Sequence, residues 1–124
     1  MTGERVPFEY VVLKAAPRVD RGEMINVGVI VYCQAKDLVE CATHCDPDRL
    51  RTLDPEVDLV AVEAALGVVR TVCAQTGHGP ESARVRFGRL SAPRSTVVHP
   101  GPIHVGLTTD PVAELQRLMR KLVY

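Results

Sequence analysis

The sequence predicts an α+β domain: an antiparallel sheet of four to five strands packed against one long and one C-terminal helix, plus a short helix. Three observations carry that prediction. Residues 24–33 (MINVGVIVYC) form an apolar run interrupted only by Asn26 and Gly28, the pattern of a strand in the middle of a sheet, covered on at least one face. Ala35-Lys36-Asp37 links that run to a second strand-like stretch, Leu38–Thr43, so the two should pair as an antiparallel hairpin. Three Asp-Pro pairs, Asp46-Pro47, Asp54-Pro55 and Asp110-Pro111, mark helix starts. In each, the carboxylate can cap free backbone N–H groups, and proline takes the first helical position, where no N–H is needed.

The elements follow in order. A first strand spans 8–15 (FEYVVLKA), and the charged turn Arg18, Asp20, Arg21, Gly22 and Glu23 leads into the apolar second strand. That turn sets two arginines and two carboxylates at the mouth of a rigid element, where binding sites are often built. The first Asp-Pro pair opens a short helix with Leu50 and Leu53. The second opens the main helix, 55–75, closed by Thr76-Gly77. At 100° per residue its polar residues (Glu63, Gly67, Arg70, Thr71) make a narrow stripe, so the helix should be largely buried, and Val68→Asp should unfold the domain. Gly77, His78, Gly79 and Pro80 read as a loop. Ala83–Leu90 (ARVRFGRL) alternates and reads as a strand with Val85 and Phe87 inward. Residues 91–104, with three prolines, read as irregular, followed by a short edge strand at 103–107. The third pair opens the C-terminal helix, 111–123, with Leu115, Leu118, Met119 and Leu122 on its apolar side and Arg117, Arg120 and Lys121 on a solvated one.

Composition narrows the class. A chain of 124 residues has room for one domain, 1–124, and its core must come from Val, Leu and Ala, since there is no Trp. Fifteen basic and fifteen acidic residues cancel, which removes the general electrostatic case for a nucleic-acid partner. No signal-peptide pattern opens the chain and no apolar run reaches membrane-spanning length, so a cytoplasmic protein with no membrane partner is expected.

Reactive groups give no reaction. Cys41-Ala-Thr-His44-Cys45 has zinc-ligand residue types, with Cys73 or His78 available as a fourth ligand, but the usual second pair of close ligands is absent. Together with Cys33 these thiols read as free core cysteines, and no metal is assigned. Ser95 lacks a GxSxG setting, and there is no GxGxxG, Walker loop or HExxH. No catalytic residue and no cofactor are therefore assigned.

Several motifs occur together and in order: Tyr10-Val-Val-Leu-Lys14, Pro17-Arg18, Arg21-Gly22-Glu23, Asn26-Val27-Gly28-Val29, Ala92-Pro93-Arg94-Ser95-Thr96, and His104-Val105-Gly106-Leu107-Thr108 before Asp110-Pro111. Over essentially the whole chain this resembles the bacterial domain of unknown function 3037 (DUF3037) family. The resemblance implies no established activity. It implies association, because such proteins are often encoded beside a HipA-like kinase.

The motif blocks nominate Arg18, Arg21, Glu23 and Asn26 from one region and Arg94, Ser95, Thr96, His104 and Asp110 from another as ligand- or partner-binding residues. Arg21 and Arg94 offer planar forks for a carboxylate or phosphate, the two hydroxyls can help hold the same anion, and His104 can exchange a proton near neutral pH. Each also has a structural reading: an Arg21–Glu23 or Arg94–Asp20 ion pair, Asn26 satisfying backbone groups, Asp110 as a helix cap. The expected function is that of a non-catalytic accessory or interaction partner of a HipA-like kinase. The alternative is a small ligand-binding or enzymatic module for a phosphate- or carboxylate-bearing molecule.

Overall fold

The apolar run does become the middle of a sheet. In a computed structural model describing residues 3–75 and 82–124, strand β2 (Ile25–Cys33) lies between β1 (Val6–Ala15) and β3 (Leu38–Thr43). Every residue of β2 from Val27 onward is buried. The β2–β3 hairpin turns through Asp37, which adopts a left-handed conformation (φ 46°) that aspartate tolerates. On its other edge β1 carries two short strands in succession. β4 (Val98–Pro100) pairs with residues 13–15, and β5 (His104–Thr108) with residues 6–10, all antiparallel. The five-stranded sheet and the C-terminal helix match the expected α+β class.

Helices cover both faces. Side chains alternate along each strand, so Val11, Leu13, Ile30 and Tyr32 point to one face, where α1 (Pro47–Leu53), α2 (Leu59–Ala74) and α3 (Ala83–Leu90) contribute Leu50, Val62, Leu66 and Phe87. Phe8, Val29, Val31 and Cys33 point to the other face, under α4 (Pro111–Leu122) with Leu115, Leu118 and Met119. Gly28 sits where the neighbouring strands leave no room for a side chain. A Cβ there would stand 2.7 Å from the Ala42 carbonyl oxygen and 3.1 Å from Leu13 Cδ1.

Two of the three Asp-Pro pairs act as the sequence suggests. Asp46 accepts from the N–H groups of Asp48 and Arg49, and Asp110 from those of Val112 and Ala113. The second pair does not start the main helix. Asp54 closes α1 by donating its N–H to Leu50, and Pro55 sits in a turn held by Val57 N–H to Asp54 C=O. The long helix begins four residues later because Asp58 takes over the cap, accepting from the Ala61 N–H. The stop at Thr76-Gly77, the loop with Gly79 and Pro80, and His78 lie outside the described residues.

Ala83–Leu90 is a helix, not a strand. Ser82 caps it through the Val85 N–H, and the buried residues Ala83, Arg86, Phe87 and Leu90 follow helical spacing. Val85, expected inward, is 53% exposed. The alternation misleads because Arg86, a charged residue at a position that reads as solvent-facing, is buried with its guanidinium bonded to the carbonyls of Val72 and Cys73. The main helix is also less buried than its composition suggests. Only Val62 and Leu66 are fully enclosed, while Val68 is 63% and Val60 81% exposed. No described helix is long and apolar enough to cross a membrane.

Candidate functional site

The nominated residues divide by position along β1. Where β1 ends, the Ala16 N–H donates to the Val97 carbonyl at 2.7 Å, so the turn after Pro17 and the segment before Val98 leave the sheet at the same end. The Arg18–Glu23 and Arg94–Thr96 blocks thus lie at the same end of the sheet. His104 instead opposes Tyr10, roughly 17 Å further along β1. Asp110 follows Thr108, which opposes Val6 at the far end of the strand. The nine residues therefore do not form one site.

Within the shared end, most polar groups are already engaged. Arg18 pairs with Asp20 at 3.3 Å and Arg21 with Glu23 at 2.7 Å, all four side chains being well exposed. Gly22, with φ 72°, closes the 3-10 turn Val19–Arg21 in a left-handed conformation that a side chain would oppose. The Arg94 guanidinium donates to the carbonyls of Ala92 and Arg89 rather than meeting Asp20. Thr96 Oγ1 donates to the Val98 carbonyl at 2.7 Å, and Ser95 is exposed. Arg94 and Thr96 nevertheless line a shallow groove of about 400 Å³ whose walls are Ala65, Val68 and Val69 of α2 and Val97.

Asn26 has a structural task. Its Nδ2 donates to the Leu122 carbonyl and its Oδ1 accepts from Lys14 Nζ, both at 3.0 Å. Arg49 Nη1 donates to the Val123 carbonyl at 3.0 Å, so β2 and α1 together satisfy carbonyls that the end of α4 leaves open. Asn26→Ala should lower stability by about 1–2 kcal/mol, because one buried-side acceptor and one ammonium lose their partner. Arg21→Ala, which breaks only an exposed pair, should change it by less than about 0.5 kcal/mol. Urea denaturation of both variants checks the contrast, and equal values would remove the structural task assigned to Asn26. His104 stacks its ring on Tyr10 at 5.0 Å, and Asp110 is the α4 cap.

The zinc-like cluster is pulled apart by the strand. Cys41 and Cys45 pack toward α2, whereas the His44 ring meets Tyr124, beyond the end of α4, at 4.9 Å. All four cysteines are free, and the described residues hold no group of three or more potential metal ligands.

Two features lay outside the sequence motifs. Arg86 donates through Nη1 to the carbonyls of Val72 and Cys73, at 3.1 and 2.9 Å, closing the C-terminal turn of α2. A hollow of about 460 Å³ opens between α3 and the sheet, lined by Glu9, Tyr32, Gln34, Arg84 and Phe87 among others. The Tyr32 ring is buried and stacks on Phe87 at 5.1 Å. Burial pushes its phenol above the ordinary range, Arg84 works against that, and Glu9 and Asp37 add to it. The only sequence signal for this hollow was Tyr32 at the end of an otherwise aliphatic strand.

A family model described as "Protein of unknown function (DUF3037)" matches residues 10–123. No curated protein matches the chain, and no solved structure does.

Proposed function

Since the chain belongs to the DUF3037 family, we propose that it acts as a non-catalytic accessory protein that docks on a HipA-like kinase through the exposed face of α2 and the adjoining 94–97 segment. One observation supports this reading above the others. Val60 and Val68, two turns apart on α2, stand 81% and 63% exposed with Ala61 and Ala64 between them, next to Val97 at 37%. Scattered exposed valines need no explanation, but a continuous apolar stripe beside a groove is the surface a partner helix or strand covers. Arg94 and Thr96 flank it with a guanidinium and a hydroxyl. The Arg18–Glu23 turn leaves the sheet at the same end as the 94–97 segment. The kinase comes from the gene neighbourhood that the family resemblance implies.

Isothermal titration of the purified chain against the HipA-like kinase encoded beside it tests the proposal. The expected result is a 1:1 complex. Val68→Asp should weaken it at least tenfold, or about 1.4 kcal/mol, and Arg21→Ala with Arg94→Ala should also weaken it. Unchanged affinity in all of these folded variants would overturn the docking surface.

A second reading, a module for a phosphate- or carboxylate-bearing ligand, is favoured by the placement of Arg84 beside the Tyr32 phenol in the 460 Å³ hollow. That reading requires a thermal shift with inorganic phosphate or a dicarboxylate, lost in Arg84→Ala.

A further inference from the structure

The hollow of about 460 Å³ between α3 and the sheet is assembled by strand register and helical spacing. Glu9 of β1 opposes Tyr32 of β2 on one side and Val105 of β5 on the other. Directly opposed residues point to the same face, so these three side chains form one row on the face that α3 covers. Arg84, Phe87 and Gly88, three and four residues apart on α3, line the facing wall. Glu9 and Tyr32 also line an adjoining recess of about 150 Å³, together with Pro7 and Val105.

Two features of this hollow go unanswered among the described residues. Tyr32 is only 8% exposed, yet its hydroxyl makes no hydrogen bond there, although a buried tyrosine O–H ordinarily finds a partner. Glu9 and Arg84 bring opposite charges to the same hollow without forming an ion pair with each other or with another described residue. Elsewhere an arginine takes the nearby carboxylate, as Arg21 takes Glu23 and Arg70 takes Glu63. A carboxylate and a guanidinium that face one cavity and stay apart leave a gap that a molecule bearing both signs can bridge. Glu9 also disfavours a bare anion, because a phosphate held by Arg84 and Tyr32 would lie next to a like charge.

We propose that the hollow binds a free α-amino acid with a branched aliphatic side chain. Its carboxylate meets Arg84 and accepts from the Tyr32 hydroxyl, its ammonium donates to Glu9, and its side chain enters the recess between Pro7 and Val105. This rests on the second reading above and narrows it from any phosphate- or carboxylate-bearing molecule to a zwitterion. Gly88 gives a way to close the site without touching its charges. A Cβ there would meet nothing within 4 Å, so a leucine side chain has room to extend into the hollow, and leucine is the better helix former.

Isothermal titration of the full chain with leucine, isocaproate (leucine without its ammonium), isoamylamine (leucine without its carboxylate) and inorganic phosphate tests the proposal. The expected result is binding of one leucine per chain, about tenfold or more tighter than any of the other probes. Glu9→Gln should erase the preference, so that leucine binds no better than isocaproate. Gly88→Leu should abolish leucine binding without lowering the thermal midpoint. Isocaproate or phosphate bound as tightly as leucine, and lost in Arg84→Ala, would overturn the zwitterion and leave the second reading standing. No binding of any probe, or isoamylamine bound as tightly as leucine, would overturn both. Leucine binding that survives Gly88→Leu would put the ligand outside the hollow and overturn the assignment as well.

Discussion

Leu66→Ala should destabilise the protein by about 2–5 kcal/mol, whereas Val68→Asp, two residues further along the same helix, should change stability by only about 0.5 kcal/mol. Leu66 is fully enclosed in the cluster that joins α2 to β1 and β2, so removing its branched end leaves a cavity that close-packed neighbours fill only in part. Val68 points away from that cluster and is 63% exposed, and aspartate and valine have similar helix propensity. Urea midpoints at unchanged slope measure both. A loss at Val68 as large as that at Leu66 would mean that the buried face of α2 is turned by roughly half its circumference. The pair also separates folding from docking: a folded Val68→Asp protein that loses its partner is the result required of an interaction surface.

Gly28→Val should cost about 3 kcal/mol although valine is the better strand former. The obstacle to the new Cβ is the Ala42 carbonyl oxygen at 2.7 Å, an atom of the neighbouring backbone that cannot swing aside as a side-chain end can. Gly28 opposes Leu13 on one side and Thr43 on the other, so pushing the strands apart there disturbs both ladders of the central strand. The expected readout is a fall in the thermal midpoint, larger than that for Asn26→Ala. A variant as stable as the parent would show that the spacing of β2 and β3 is looser at this point than described.

The elements legible in the sequence were those with one dominant local signal. The hairpin from β2 to β3 and the ends set by Asp46 and Asp110 needed only chain-local chemistry. Ala83–Leu90 was misread because its decisive residue, Arg86, is a charged side chain whose burial depends on carbonyls at the end of α2, a contact no local pattern encodes. The second Asp-Pro pair was misread because two aspartates, Asp54 and Asp58, compete for one helix start, and the turn at Pro55 decides between them. The burial of α2 was overestimated for a different reason. Apolar composition records what a face prefers, and the stripe from Val60 to Val68 has no cover among the described residues. The motif residues were found as a set, but strand pairing distributes them. Register sets the 94–96 segment at the same end of the sheet as the turn and carries His104 and Asp110 away along β1.

That arrangement of β1 also orders events in time. Of the five strands, β2, β4 and β5 all pair with β1, and the register that joins Val6 to Thr108 spans nearly the entire chain. On a ribosome β1, β2 and β3 emerge first and can assemble as a meander from near-neighbour contacts, which form quickly. One edge of β1 then stays open until residues 98–108 are released, and the layer beneath α4 stays wet until later still. The nascent chain therefore passes through a stage with a bare strand edge and an uncovered apolar face, the kind of species on which aggregation and chaperone capture act.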